Sequence, residues 1–393
     1  MQKKYNEYSD INNLAIFDRL VHGDEIINTL RNIAARPNMF NMSGHFTGLL
    51  YESGTVNLTE YILGKILSDE NPYLLLKAGG KNIPPIMEKT LDEELRILEK
   101  FSRITPDILR GLTNYDGYMP EWEISEIDFV KSYHEKMDKL PTEGYGMYTD
   151  HHTFMFDGEK IVPVKNPDPQ RLSLLSGYDA ERKKVIDNTL ALLAGKPAAN
   201  VLLYGDAGTG KSSTVKAVVN EFRDKGLRLI ELKKAQLRDM PRIMEIISGN
   251  PLKFIIFIDD LSFASDDDNF GTLKAVLEGS AAAKTANAAI YVTSNRRHLV
   301  REKFSDRLGD DVHAGESREE LSSLSERFGL KVAFFKPGKE LYLKIVSDLA
   351  KQYNVDIPEE ELFLRAEEFA IRRTGRSGRA ARQFVESLAT VNR

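Results

Sequence analysis

Apolar residues recur along this chain at two different spacings, and the change of spacing divides it. Over the first 140 or so residues they return every three or four positions, which predicts amphipathic α-helices packed on a core. Clear examples of these stripes are Ile62, Leu63, Ile66, Leu67, Leu91, Leu95, Ile97, Leu98 and Phe101. No residue pattern in this part indicates a chemical role. We therefore predict a mostly helical N-terminal domain of unknown role.

A different pattern follows this helical part. Between Thr153 and Val164, apolar positions surround Asp157-Gly158, which is typical of a β-hairpin. His151 and His152 come just before it, and adjacent side chains point in different directions, which favours a solvated turn over a shared metal. The proline-broken segment NPDPQ at 166–170 is typical of a linker. We expect the N-terminal domain, with this hairpin at its end, to span residues 1–165.

Beyond residue 166, short apolar runs alternate with helical stripes. The runs lie at 201–204, 227–232, 254–258, 288–293 and 331–335. Strands separated by helices predict an α/β fold, with a parallel sheet sandwiched by helices. This core is expected at 166–338. The remaining residues, 339–393, are helical throughout and predict a small helical lid.

Composition narrows the possible functions. The chain has 393 residues, of which 41% are hydrophobic and 29% charged, as in an ordinary globular protein. Its net charge of −5 does not favour binding to nucleic acid or to an anionic membrane. It contains no cysteine, which excludes disulfides, thiolate metal sites and cysteine nucleophiles. No apolar run approaches the roughly 18 residues of a membrane span, and no signal peptide is evident. We expect a cytoplasmic protein without a membrane partner.

The first strand of the α/β part leads into a phosphate-binding pattern. GDAGTGKS completes G-x-x-x-x-G-K-S, in which glycines let successive backbone N–H groups turn toward an anion. Lys211 brings a cation to the β- and γ-phosphates, and the Ser212 hydroxyl is a candidate ligand for magnesium. A glycine-rich turn that binds nothing is the less favoured alternative. The predicted phosphate-binding residues are Gly205, Asp206, Ala207, Gly208, Thr209, Gly210, Lys211, Ser212 and Ser213.

Polar residues follow two later strands of the same sheet. The run 254–258 ends in Asp259-Asp260, which can place Asp259 on magnesium and Asp260 near an attacking water. A helix cap or turn is the alternative, but the complete phosphate loop upstream argues against it. The run 288–293 leads to Asn295, whose amide can reach between the water and the γ-phosphate. Because ligands gather at the carboxyl ends of parallel strands, we expect these groups to meet.

Arginines are expected to complete the site. Arg327, in SERFG before the last strand, can project into a neighbouring subunit's nucleotide, where such a cation is worth roughly 10³ to 10⁵ in rate. Arg307, in an earlier Ser-Asp-Arg, is a competing candidate. Arg379, at the start of the final helix, is best placed to reach the phosphates from the lid. For the arginines around Arg379, the alternative interpretation is a basic surface that faces solvent or nucleic acid. Gly177 and Tyr178 are weak candidates for adenine contacts, with ordinary packing favoured.

Taken together, these residues resemble the AAA+ superfamily of P-loop ATPases over about Leu172 to Arg393. LLYGDAGTGKSS, DDLSF, TSNRRHL and SLSERFGL more narrowly resemble a bacterial AAA+ family with a domain of unknown function, to which the helical N-terminal half would also belong. The resemblance implies ATP and Mg²⁺ as cofactors, nucleotide bound between subunits, and Arg327 acting in trans. It also implies a homo-oligomer, often with six members. It brings no known substrate.

The chain departs from the AAA+ pattern in two respects. Many members carry Asp-Glu where this sequence has Asp259-Asp260, and the shorter second carboxylate predicts slower turnover. Initiators and helicase loaders of the replication type share the Asp-Asp pair. The second departure is that KKAQLRDMPRIMEIISGNPLK, between the second and third strands, has no aromatic residue of the kind that lines the pore of a threading unfoldase.

Two functions remain open from the sequence. The first is an ATPase that hydrolyses ATP to remodel or assemble an unidentified protein client. The alternative is a DNA-associated nucleotide switch or loader with slow hydrolysis; the Asp-Asp pair and the arginine-rich C-terminus favour it, and the acidic net charge counts against it. A kinase or guanine-nucleotide switch has less support, because nothing resembles the guanine-reading N-K-x-D element.

Overall fold

The computed structural model of this chain describes residues 8–263, 269–278, 286–295, 324–373 and 375–391. Arg307 lies outside the described residues. The chain divides into two compact units, Met1–Gly146 and Met147–Arg393. Among the helices described, none is long and apolar enough to cross a bilayer.

The first unit is helical, as its periodicity predicts. One buried cluster of apolar side chains forms its core, and it includes Phe17, Ile62, Leu95 and Phe101. Short 3-10 turns lie at Asp10–Asn13 and Pro37–Met42. The helices are α1 (Asp18–Gly23), α2 (Glu25–Ala35), α3 (Ser43–Glu52), α4 (Leu58–Ser68), α5 (Pro72–Ala78), α6 (Pro85–Ser102), α7 (Pro106–Thr113), α8 (Phe129–Asp138) and α9 (Leu140–Glu143).

Side-chain caps fix where several of these helices begin. The side chains of the residues before α2, α4, α5, α7 and α8 accept hydrogen bonds from first-turn N–H groups that have no partner within the helix. Glu94 on α6 is 4% exposed. Its carboxylate accepts from the backbone N–H groups of Ala15, Ile16 and Phe17, so this buried charge is satisfied and fixes the chain before α1.

The second unit is built on a seven-stranded sheet. Its strands are β1 (Thr153–Phe156), β2 (Ile161–Pro163), β3 (Val201–Gly205), β4 (Leu227–Leu232), β5 (Lys253–Ile258), β6 (Ala288–Ser294) and β7 (Leu330–Phe334). The spatial order is β2-β1-β4-β5-β6-β3-β7, and every neighbouring pair is parallel except β1 with β2. The helices are α10 (Met147–Asp150), α11 (Asp179–Leu193), α12 (Lys211–Phe222), α13 (Met240–Ser248), α14 (Asn269–Glu278), α15 (Lys339–Gln352), α16 (Glu359–Arg372) and α17 (Gly378–Val391).

Helices cover both faces of this sheet. Successive residues of β5 alternate between two apolar clusters, one on each face of the sheet. Phe254, Ile256 and Ile258 belong to one cluster, and Ile255 and Phe257 belong to the other. Five consecutive residues of β5 are completely buried, as a central parallel strand requires. The predicted α/β fold class is therefore confirmed.

The hairpin occupies a place different from the one expected. The sequence analysis assigned it to an N-terminal domain ending at residue 165, but β1 pairs in parallel with β4, with Phe154 opposite Ile230. The predicted linker is also fastened to this unit, because the Asn220 side chain on α12 donates to the carbonyl oxygens of Asp168 and Gln170. The hairpin thus extends the sheet of the second unit.

The last three helices, α15 to α17, form a cluster with its own apolar core. Tyr342 and Val346 of α15 pack with Ala366 of α16 and with Ala381 and Val385 of α17. We call these three helices the C-terminal cluster. Its separation from the core as a lid that begins at residue 339 stays a prediction.

Candidate functional site

The loop between β3 and α12 borders a cavity of about 540 Å³. Gly205, Gly208 and Gly210 in this loop have φ angles of +128°, +76° and +96°, a region that other residues rarely adopt. At Gly205 the requirement is also steric, since a Cβ there would lie 2.2 Å from the carbonyl oxygen of Phe334 on β7. The conformation of the loop therefore depends on glycine.

Lys211, the first residue of α12, directs its ammonium back into the loop. Its Nζ donates to the carbonyl oxygens of Gly205 at 2.9 Å and Asp206 at 2.7 Å, and to Oδ1 of Asn295 at 3.1 Å. Burial lowers the pKa of Lys211, and nearby carboxylates, led by that of Asp260, oppose this shift. A buried cation is thus held beside the loop, where phosphates of a nucleotide would be attracted.

Asp259 links two elements of the site. Ile258 on β5 pairs with Val292 on β6, and this register brings the next residue, Asp259, beside Thr293. Oδ1 of Asp259 accepts a hydrogen bond from Ser212 Oγ and another from Thr293 Oγ1, each at 2.5 Å. The carboxylate therefore connects the start of α12 to the end of β6.

Asp260 faces a different partner. Its φ of +49° is in the left-handed region, and its backbone N–H donates to Thr293 Oγ1 at 2.8 Å. Its carboxylate accepts from Nδ2 of Asn295 at 2.7 Å. Because Asn295 also accepts from Lys211, a continuous chain of hydrogen bonds joins Lys211, Asn295 and Asp260.

The oxygen donors around Asp259 fit a magnesium ion that keeps most of its own shell. Mg²⁺ in proteins is usually held by one or two carboxylates together with substrate phosphates and several waters. Ser212 and Asp259 provide one hydroxyl and one carboxylate at adjacent positions. Over the described ranges, no three Asp, Glu, His or Cys side chains converge to form a metal cage. The two residues would therefore hold this ion only together with a phosphate.

The start of α17 closes another side of the cavity. Arg379 and Arg382, one turn apart, both line it. The backbone N–H of Arg379 donates to the carbonyl oxygen of Gly208 at 3.0 Å, and the Ser377 hydroxyl accepts from the N–H of Ala380 at 3.1 Å, which caps the helix. The arginine predicted to reach the phosphates from the C-terminal helices thus lies against the phosphate loop.

An apolar wall comes from the segment before α11 and from α15, through Leu174, Leu175, Tyr178, Ile345 and Leu349. The Tyr178 hydroxyl donates to the carbonyl oxygen of Phe335 at 2.6 Å, and burial raises the pKa of Tyr178 to about 12. Gly177 packs instead against α15, since a Cβ there would lie 2.8 Å from a methyl group of Leu341. Of these two weak adenine candidates, Tyr178 lines the cavity and Gly177 does not.

Two groups of predicted residues lie elsewhere. Arg327 does not line the cavity of its own chain; it is half-buried in the turn before β7, where its backbone N–H donates to the carbonyl oxygen of Leu324 at 3.2 Å. His152 contacts Oδ1 of Asn220 at 3.0 Å, and burial lowers the pKa of His152. Neither His151 nor His152 lines the cavity.

Sequence reasoning missed five polar residues of the cavity, namely Thr293, Arg182, Arg382, Ser176 and Thr214. Arg182 is paired with Asp179 at 2.7 Å. A signal for Thr293 was present in the sequence, because residues two apart on a strand share a face and Asn295 was already a candidate. The arginines gave no comparable signal, since a helix presents charges on every exposed side.

The parallel sheet, the phosphate loop after β3, and the polar residues that follow β5 and β6 define a P-loop protein of the AAA+ class, and that predicted resemblance is confirmed. A family model described as "Protein of unknown function (DUF815)" matches residues 149–392. This is more than half of the chain, so the protein belongs to that family. The match begins after the helical N-terminal unit, which ends at Gly146.

Two replication factor C large subunits are similar over shorter stretches. The one from Staphylothermus marinus is 31% identical over 117 residues, which cover 28% of this chain and 27% of that protein. The one from Thermofilum pendens is 29% identical over 136 residues, or 32% of each. The chain thus spans about a third or less of these curated relatives.

Solved structures with a similar fold include the Holliday junction branch migration motor RuvB of Thermotoga maritima. It has a TM-score of 0.37 at 16% identity, over 57% of this chain and 66% of that one. A replication initiator DnaA bound to AMPPCP and single-stranded DNA has a TM-score of 0.39 at 16% identity, over 56% of this chain and 65% of that one. At such TM-scores, this likeness says nothing about what the protein does.

Proposed function

We propose that this protein binds Mg-ATP in the cavity and hydrolyses it between subunits, to drive the remodelling or assembly of a partner protein in the cytoplasm. One observation carries the proposal: the cavity brings together Lys211, Asn295 and Asp260 in one chain of hydrogen bonds, beside the pair formed by Ser212 and Asp259. Its volume of about 540 Å³ lies within the range of small-molecule sites.

Each residue has a physical role in this proposal. Backbone N–H groups from Gly205 to Ser213 and the Lys211 ammonium bind the phosphates. Ser212 and Asp259 would hold magnesium, which would supply positive charge to the phosphates. Asp260 accepts a hydrogen bond from the attacking water and orients it, while Asn295 fixes the direction of that carboxylate. Arg379 brings a cation to the phosphates from α17.

The proposal assigns Arg327 to the nucleotide of an adjacent copy. A cation at the transferred phosphoryl group stabilises charge that develops only in the transition state. The position of Arg327 outside its own cavity supports an action in trans, and so supports a homo-oligomer, possibly of six members. ATPase activity should then depend on assembly.

The direct test is phosphate release from ATP and magnesium over a range of protein concentrations. We expect specific activity to rise with concentration as copies associate and complete each other's sites. Fluorescent-nucleotide titration on the same samples separates binding from turnover. Bound ATP without phosphate release at any concentration, under conditions where oligomers are present, would reject the ATPase.

Replacement of Lys211 by alanine is expected to weaken ATP binding about 10- to 100-fold or more, because a hydrogen bond from a charged donor typically contributes about 1.5 to 3 kcal/mol. Lys216→Ala is the matched control: Lys216 lies on the same helix, is 3.9 Å from Asp168 and does not line the cavity. Nucleotide titration of both variants measures the difference. Equal affinities for the two variants would contradict the assignment of Lys211.

A second candidate function is a DNA-associated switch or loader with slow hydrolysis. Asp260, in place of the longer Glu, favours it, and the partial similarity to proteins named as replication factors supports it. Filter binding with single- and double-stranded DNA, with and without ATP, should then show ATP-dependent retention that weakens steeply as salt rises. Absent or salt-insensitive retention would rule out this candidate and leave the protein-remodelling ATPase.

A further inference from the structure

We infer that Thr293 is a positioning residue that aims the two carboxylates of the cavity in different directions. The inference rests on the proposed function of the site. Thr293 is the last residue but one of β6, is 2% exposed and is bonded to both residues of the Asp259-Asp260 pair. One hydroxyl therefore controls the metal side and the water side of the reaction together.

The first step of the argument is that this hydroxyl is used in both directions. It donates to Oδ1 of Asp259 at 2.5 Å and accepts from the N–H of Asp260 at 2.8 Å. A side chain that is both donor and acceptor at one atom can do this, and the short hydroxyl side chains of serine and threonine have this property. Valine has the same shape and offers neither bond.

The second step concerns the backbone turn at Asp260. Its φ of +49° is uncommon for a residue with a side chain and has to be held by its surroundings. Three bonds from the end of β6 hold it: Asp260 N–H to Thr293 Oγ1, Leu261 N–H to the Thr293 carbonyl at 2.8 Å, and Ser294 Oγ to the Leu261 carbonyl at 2.7 Å. Of these three bonds, the one to the Thr293 hydroxyl is made by Asp260 itself.

The turn has a consequence for the chemistry. Successive residues of an extended strand point to opposite faces, and one of the pair would leave the cavity if β5 continued. Because the chain turns at Asp260, both carboxylates line the same cavity, with Asp259 bonded to Ser212 and Asp260 to Asn295. Loss of the Thr293 hydroxyl should therefore loosen both groups without removing either.

The test compares Thr293→Val, Thr293→Ser and Thr189→Val with the unmodified protein. Thr189 is the matched control, since it is also fully buried and its hydroxyl is bonded to the Val185 carbonyl, but it does not line the cavity. ATP affinity is measured with a fluorescent analogue in magnesium and in EDTA, and kcat by phosphate release. Thermal unfolding of each variant reports folding.

We expect Thr293→Val to lower kcat by about 10- to 100-fold. The increase in nucleotide affinity that magnesium produces should fall by a similar factor. Losses of this size are typical when the hydrogen-bond partner of a metal-ligating carboxylate is removed. Affinity in EDTA should be unchanged. Thr293→Ser should restore both quantities to within about threefold of the unmodified protein, because serine keeps the same donor and acceptor atom.

Three results would overturn the inference: Thr293→Val equal to the unmodified protein, Thr293→Ser as defective as Thr293→Val, or Thr293→Val unfolded at a temperature where Thr189→Val is folded. The last would make the hydroxyl a folding requirement instead. If the unmodified protein neither binds nor hydrolyses ATP, the proposed function itself fails. The affinity and kcat measured for the unmodified protein show this independently of the variants.

Discussion

Replacement of Arg327 by alanine is expected to lower ATP turnover by about 10³-fold or more while ATP affinity changes little. The reason is that a cation supplied to the transferred phosphoryl group acts on charge that develops in the transition state, so its loss raises the barrier more than it weakens binding. Steady-state phosphate release measures the first quantity, and nucleotide titration measures the second. Size-exclusion chromatography must show the same oligomer for both proteins.

The matched control for this prediction is Arg365→Ala. Arg365 lies on α16, is half exposed and is ion-paired with Glu361 one turn away. Its replacement therefore also removes one positive charge, but from the C-terminal cluster. Arg307→Ala, made in parallel, tests the competing arginine. A large loss of turnover in Arg307→Ala with none in Arg327→Ala would transfer the role to Arg307.

The parts of the site that were predictable are those that the chain fixes locally. The phosphate loop is one continuous segment, and glycine at Gly205 and Gly210 is required by the turn itself, so the spacing along the sequence is also the spacing in space. The Asp259-Asp260 pair was found for a similar reason, since it directly follows an apolar strand. Local chemistry is therefore readable before any fold is known.

Features that depend on pairing between distant segments were not predictable in the same way. The role of Thr293 depends on the β5–β6 register, and the hydrogen bond between Arg379 and Gly208 joins residues far apart in the chain. The hairpin shows the same limit: its two strands were evident, but its partner β4 lies 76 residues further on, where Thr153 pairs with Leu229. A local pattern predicts a strand without predicting which sheet the strand joins.

Replacement of Asp260 by asparagine is expected to lower turnover by about 10²- to 10⁴-fold and to leave ATP binding intact. Asparagine has nearly the same shape and its carbonyl oxygen can still accept from Asn295, but the neutral amide accepts a proton from water far more weakly. Single-turnover phosphate release with a nucleotide titration separates the two quantities. The control is Asp187→Asn on α11. The Asp187 side chain pairs with Lys183 at 2.7 Å and does not line the cavity. Loss of ATP binding in Asp260→Asn alone would contradict a role confined to the water.

The two inactive variants together test whether the site is shared between subunits. In an oligomer mixed from Asp260→Asn and Arg327→Ala chains, some sites combine the intact Asp260 of one chain with the intact Arg327 of its neighbour. Those sites contain every proposed group, so mixing should restore activity that neither variant has alone. Recovery requires that the residues belong to different chains, because a site formed within a single chain always lacks one of them. No recovery in oligomers verified to contain both chains would mean that Arg327 does not act on its neighbour's nucleotide. The same Asp260→Asn protein, held with ATP bound, is then the form expected to retain a partner that the unmodified protein releases.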